Sequence, residues 1–289
     1  ISCIHEIVNS GLKPVFVDSS LETWNMDVKQ IEEKITPNTS AIMAVHIYSF
    51  PVEMDKVISL AKKYNLKIIE DAAEMHGQTY KGKICGSFGD ISTFSFYANK
   101  LITTGEGGML VTNNKNFYEK AIYYRNLCFN NKNRFVHNDL GYNFRFTNIQ
   151  AQIGLAQMKR IKGLIKKKLE IANYYKNEFK KQSFFNYVKD QPWAFNTYWM
   201  FGIVTNNKLI TAKKLMSYLK KEKIESRPFF YGLHKQPCLD KNLSKKFNCP
   251  NTDYISKYGL YLPSGYNLNK KKIQYISRKL LNIFKNHAT

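Results

Sequence analysis

Between residues 1 and 115, continuous apolar runs alternate with stretches that carry apolar residues every three or four positions, and this alternation constrains the fold most. A continuous apolar run suits a strand buried on both faces, and an amphipathic helix after it covers one of those faces. The runs are residues 13–18, 40–46 and 67–71, the first and last ending in Asp18 and Asp71. Residues 27–35 and 53–64 read as the intervening helices, the second with Met54, Val57, Ile58, Leu60 and Ala61 on its apolar side. Further strands are predicted at 92–96 and 108–112. The order is that of an α/β fold with a parallel sheet covered by helices.

Residues 147–181 carry a long helical pattern interrupted only by Gly154 and Gly163. Beyond it the pattern becomes strand at 198–204, helix at 211–221, strand at 224–229 and a lysine-rich helix at 270–284. A domain boundary is therefore expected at residue 155, dividing a large domain (1–155) from a long helix and small domain (156–289). With 44% apolar and 23% charged residues in 289, the chain has the material for a real core, which excludes disorder as its main state. No apolar run approaches the ~18 residues of a membrane span. The first residues carry no charged segment followed by an apolar stretch, so they are not expected to be a signal peptide.

Lys and Arg number 44 against 22 acidic residues, a net charge of +22. Only six of the basic residues are arginine, the side chain best suited to bidentate recognition of bases and phosphates. Anionic small molecules are thus the expected partners rather than nucleic acid. The five cysteines are scattered, with no CxxC pair and no His/Cys spacing that suits zinc, so no metal and a reducing cytoplasm are expected.

Three segments carry chemistry. Asp71 closes a buried strand, where ligands bind in open α/β sheets. Lys100 follows the strand segment Ser95-Phe96-Tyr97. Residues 103–108, Thr-Thr-Gly-Glu-Gly-Gly, make a tight turn without the spacing of a nucleotide P-loop. An acid at a strand end is often only a helix cap, and a lysine after a strand only a surface charge. Together they suit one chemistry: a lysine amine holds an aldehyde cofactor as a Schiff base, a carboxylate keeps its pyridine nitrogen protonated, and a serine hydroxyl meets its phosphate.

Residues 70–77 (Glu-Asp-Ala-Ala-Glu-Met-His-Gly), 86–90 (Gly-Ser-Phe-Gly-Asp), 94–100 (Phe-Ser-Phe-Tyr-Ala-Asn-Lys) and 103–108 closely resemble the sugar-nucleotide aminotransferases of the DegT–StrS type. The resemblance extends through residues 14–18, Asp27, 140–148 and 260–263, essentially end to end. It implies pyridoxal-phosphate fold type I, the aspartate-aminotransferase fold, with a mostly parallel sheet in the large domain and a small α+β C-terminal domain. It also implies pyridoxal 5′-phosphate as cofactor. By resemblance Lys100 is the Schiff-base lysine, Asp71 the partner of the pyridine nitrogen, Ser95 the phosphate-binding serine and Glu74 the group beside the ring hydroxyl. Asn143 matches an asparagine that reaches the phosphate in a neighbouring subunit's site, which implies a homodimer with shared active sites. His76 is placed near the ring, on the substrate side.

Residues 195–200 and 224–234 resemble the family members that aminate C4 of GDP-4-keto-6-deoxymannose with glutamate as donor, which implies that Arg227 and His234 contact substrate. A UDP- or dTDP-4-keto-6-deoxyglucose 4-aminotransferase is the alternative, as is a truncated, non-catalytic relative. Relatives that perform 3-dehydration have histidine in place of the lysine, and Lys100 speaks against that chemistry. Family members extend further at the N-terminus, with amides for the phosphate and a residue over the ring, so the chain is expected to be part of a longer protein.

Overall fold

The computed structural model describes residues 1–129, 133, 135–239 and 247–287. It opens with α1 (Ser2–Asn9), in which Ile4 is buried. Residues 13–18, expected as a strand, join no sheet. Pro14 has no N–H to give a ladder and Val15 is half exposed, so the run lacks the two-sided burial of an inner strand. The helix expected over 27–35 is a pair of 3₁₀ turns, Val28–Gln30 and Glu32–Lys34, the first capped by the Asp27 carboxylate through the Lys29 amide at 3.1 Å. Val28 and Ile31, both buried, are three residues apart, the spacing that a 3₁₀ turn aligns on one side.

The parallel core forms as expected. β1 (Ala41–Val45) pairs with β2 (Lys67–Asp71), Val45 lying opposite Asp71, and α2 (Met54–Lys63) joins them. Met54, Val57 and Ala61 of α2 pack with Ile42, Ala44 and Ile68 of the strands. A hairpin of β3 (Thr79–Tyr80) and β4 (Lys83–Ile84) precedes β5 (Ile91–Ser95), which pairs in parallel with β2. β6 (Gly108–Val111) then returns antiparallel to β5, with Gly108 opposite Ser95. The sheet order is β1-β2-β5-β6, parallel except at the β6 edge.

α3 (Lys115–Arg125), capped by Asn114, buries none of its residues. The helical stretch expected over 147–181 is two helices. α4 (Asn148–Met158) begins at a capping box of Thr147 and Gln150, and α5 (Ile161–Phe179) begins after Arg160, whose φ of -106° and ψ of 4° leave the helical region. No proline marks this break, so periodicity passes over it.

The second half builds β7 (Phe185–Asn186), β8 (Ala194–Phe195), β9 (Phe201–Thr205), α6 (Ala212–Lys221), β10 (Arg227–Pro228), α7 (Pro250–Tyr258), β11 (Gly259–Leu262) and α8 (Lys270–Asn286). An antiparallel sheet runs β10-β11-β9-β7, while β8 returns to pair with β3. The strand expected over 224–229 shrinks to two residues at the sheet edge, where Pro228 can be tolerated. Tyr175, Phe179, Phe201, Leu260, Leu280 and Phe284 form the core between this sheet and helices α5 and α8.

Two buried acids tie distant segments together. Asp18 Oδ1 accepts from the Thr252 amide (2.8 Å) and hydroxyl (2.7 Å), and Oδ2 from the Asn251 amide (3.0 Å), so it caps α7 from across the chain. Glu70, with no exposed surface, accepts from His46 Nε2 (2.9 Å), the Gly86, Phe88 (2.8 Å) and Gly89 (2.9 Å) amides and the Ser92 hydroxyl (3.1 Å). The Val52 amide donates to His46 Nδ1 at 2.9 Å, so the ring proton sits on Nε2, facing Glu70. Burial alone would push the Glu70 carboxyl up, but His46 and the Gly86 and Phe88 amides outweigh it and hold it below its ordinary value. Gly86 is the hinge of this loop: its φ is +92°, and a Cβ there would collide with the Phe94 ring. Glu70→Gln turns an NH₂ group toward a cluster of donors and is expected to lower stability by about 3 kcal/mol in urea unfolding. A loss below about 1 kcal/mol would show that the loop relaxes around the amide.

Candidate active site

β2 ends at Asp71, on the carboxyl edge of the parallel strands where the backbone opens toward ligands. Its Oδ1 accepts from the Ala73 amide at 3.0 Å, and its Oδ2 from the Cys3 thiol of α1 at 2.9 Å. Burial, then the Asp71 charge, push the thiol up to about 12, so Cys3 stays protonated and remains a donor.

Glu74 follows in the loop after β2 and is buried. Its Oε2 accepts from the Tyr48 amide at 2.6 Å. Tyr48 and Ser49 both have left-handed backbone, with φ of 51° and 67°, a costly conformation for such residues. The Glu74 carboxyl thus pins a strained turn as well as facing the amine. Lys100 lies in the turn after β5, its Nζ 3.7 Å from Glu74 Oε1 and 4.4 Å from the centre of the Trp199 ring. Trp199 Nε1 donates to the Asn99 carbonyl at 2.6 Å, which holds the indole against that turn.

Burial pushes the Glu74 carboxyl up to about 7; Lys100 and the Tyr48 amide pull it down, and Asp71 adds to the rise. The amine and both acids open onto one cavity of about 580 Å³. Trp24, Tyr48 and Phe229 wall it on one side, with Tyr48 stacked on Phe229 at 4.1 Å and on Phe230 at 5.3 Å. An amine beside two carboxylates, in a mostly apolar cleft of this size, fits an aldehyde-bearing pyridine ring.

Over residues 1–281 the sequence matches the DegT/DnrJ/EryC1/StrS aminotransferase family. The chain belongs to that family. It is 41% identical over 280 residues to a GDP-perosamine synthase of Escherichia coli O157:H7, covering 97% of this chain and 75% of the relative. It is 35% identical over 285 residues to a GDP-perosamine synthase of Vibrio cholerae, covering 98% of this chain and 77% of the relative. Among solved structures it is similar to PseC of Helicobacter pylori, an aminotransferase of pseudaminic acid biosynthesis, at 29% identity and a TM-score of 0.91, over 98% of this chain and 76% of that one. The family match accords with the sheet order, and the chain is an aminotransferase of fold type I.

The structure brings Lys100, Asp71, Glu74 and His234 onto the cavity, while Ser95, His76, Arg227 and Asn143 lie outside its lining among the described residues. His234 sits buried in the 3₁₀ turn Leu233–Lys235, with Nε2 3.1 Å from Asp253 Oδ1. His76 is stacked against Phe96 at 5.6 Å and Phe94 at 6.0 Å. Burial, and to a lesser degree Lys100, push its imidazole down to about 4, so it is a neutral ring. Ser95 Oγ accepts from the Tyr97 amide at 3.3 Å. Arg227 is exposed opposite Tyr261, and Asn143 is exposed in a bridge to Asn126.

Reasoning from residues alone missed Cys3, Tyr48 and Trp199. Cys3 and Tyr48 carry no motif, and only the tertiary fold sets them beside Asp71 and Glu74. Trp199 lies within a segment that resembles the family, yet it meets Lys100 from 99 positions further along the chain. The Glu74 carboxyl yields a sign that can be checked. Its folded-state value near 7 lies above the ordinary 4.5, so its contribution is full below 4.5 and is lost as pH rises through 7. Urea stability of the cofactor-free protein should therefore fall between pH 5 and 8, and Glu74→Gln should flatten that slope. An unchanged slope in the variant would assign it to other groups.

Proposed function

We propose that the chain transfers an amino group to C4 of GDP-4-keto-6-deoxymannose to form GDP-perosamine, with glutamate as donor and pyridoxal 5′-phosphate as cofactor. The observation that carries the reading is the convergence of Lys100, Asp71 and Glu74 on one cavity in a chain of this family. When bound, the cofactor supplies a protonated pyridine ring that takes up the electron pair released at the reacting carbon. Lys100 holds it and afterwards moves the proton at that carbon through its Nζ. Asp71 keeps the ring nitrogen protonated by charge pairing, with Cys3 and the Ala73 amide fixing its carboxylate. Glu74 faces the amine and the ring hydroxyl, and Ser95 binds the phosphate.

Arg227 engages the anionic nucleotide sugar, and His234 and His76 border it. On this reading residues 1–155 form the cofactor domain and 156–289 bring Arg227 and His234 to it. Among the described residues no helix is long and apolar enough to cross a membrane. All five cysteines are free, which suits a cytoplasmic enzyme. The test is a side-by-side assay with glutamate of the GDP-linked manno ketone against UDP- and dTDP-linked gluco ketones. Preferential amination of the GDP substrate is expected. Preference for a gluco substrate would move the enzyme to the other branch, and no turnover on any would favour a non-catalytic relative.

A homodimer with shared sites is part of the proposal. α4 buries none of its residues, and Leu140 (94%), Phe144 (72%), Ile149 (76%) and Leu155 (55%) stand exposed around Asn143 in sequence. So much exposed apolar surface marks an interface, and a second copy related by a two-fold axis is the simplest occupant. Asn143 then serves the phosphate in the other copy's site. Mixing inactive Lys100→Ala and Asn143→Ala chains should restore up to about a quarter to a half of wild-type activity, since one site of each mixed dimer is intact. Verified heterodimers without activity would show that each site is built within one chain.

A further inference from the structure

Lys168 of α5 is buried, at 6% exposure, and burial alone pulls its ammonium down to about 8. A buried cation normally sits against an acid, and no carboxylate among the described residues pairs with this one. Its Nζ instead donates to the Trp199 carbonyl at 2.9 Å and the Ser264 carbonyl at 2.6 Å, and lies 4.9 Å from the centre of the Tyr266 ring. An ammonium has three N–H donors and no acceptor, and two carbonyls with a ring face match that inventory.

Both routes out of this cluster lead to Lys100. Trp199 donates from Nε1 to the Asn99 carbonyl at 2.6 Å and presents its ring to Lys100 Nζ at 4.4 Å. Tyr266 donates from its hydroxyl to the Leu101 carbonyl at 3.2 Å. The backbone carbonyls on either side of Lys100 are therefore gripped by two aromatic residues, and Lys168 touches both. We infer that Lys168 is a positioning residue for the reaction: by holding Trp199 and Tyr266 it fixes the turn that presents the Lys100 amine to the cofactor. This rests on the reading that Lys100 is the cofactor-binding lysine.

The experiment uses the full chain loaded with pyridoxal 5′-phosphate, in wild-type form and as Lys168→Met, Trp199→Phe, Tyr266→Phe and the Lys168→Met/Trp199→Phe double variant. Borohydride reduction with peptide mapping locates the attached cofactor, and a pH titration of its visible absorbance gives a midpoint. Label is expected at Lys100, with the midpoint moved by about half a pH unit or more in each single variant. The double variant should shift little beyond the larger single shift, because both changes break one chain of contacts. An unmoved midpoint in Lys168→Met, or shifts that simply add, would overturn the inference. If Lys168→Met does not fold, the two phenylalanine variants decide: a shift in both supports it, and unmoved midpoints in both overturn it. Label on another lysine in the wild type overturns the Lys100 assignment and this inference with it. Label at Lys100 with unmoved midpoints overturns this inference alone.

Discussion

Glu70 has no exposed surface, and its two oxygens collect donors from His46 just past β1, from β5 and from the loop between β4 and β5, so these segments cannot move apart without leaving a buried charge unpaired. Asp71 is the next residue on the strand, and its opposite side-chain direction sends it to the ligand side of the sheet. The same five-residue strand thus carries an acid that binds the framework together and an acid that lines the cavity. His46 links the arrangement to Val52, just before α2, which keeps the first crossover in place.

The site carries few charges, and their surroundings set them apart. The Cys3 thiol and the His76 ring are both held neutral by burial, the one pushed up and the other down. The Glu74 carboxyl, near 7, is close to balanced between its two forms and faces the amine of Lys100. A carboxyl balanced in this way can take up or give back a proton at modest cost. Around this centre Tyr48 stacks on Phe229, Trp199 presents its ring to Lys100, and Trp24 packs on Phe229 at 4.9 Å.

The departures from expectation have separate causes. Residues 13–18 are apolar enough for a strand, but Pro14 lacks a donor and no neighbour pairs with the run. Residues 108–112 read as a strand and form β6, but its direction could not be read: the twelve residues 96–107 between β5 and β6 make turns and no covering helix, so the chain returns antiparallel. The break at Arg160 has no breaker residue. α3 has no amphipathic stripe because it buries nothing in the single chain, so periodicity could not signal it. α7 starts at Pro250, a local signal, but its cap is Asp18, more than two hundred positions away.

Sequence alone determined the parallel βαβ core and the family, and it singled out Lys100 and Asp71 as site candidates, because these depend on patterns of a few residues: two-sided burial, strand ends and motifs. Tertiary structure decided which groups face them. The Cys3–Asp71 bond spans 68 positions, the Tyr48–Glu74 bond 26, and the Lys168–Ser264 bond 96. Such contacts are set by how layers pack, and sequence spacing holds no measure of distance between segments that only folding brings together.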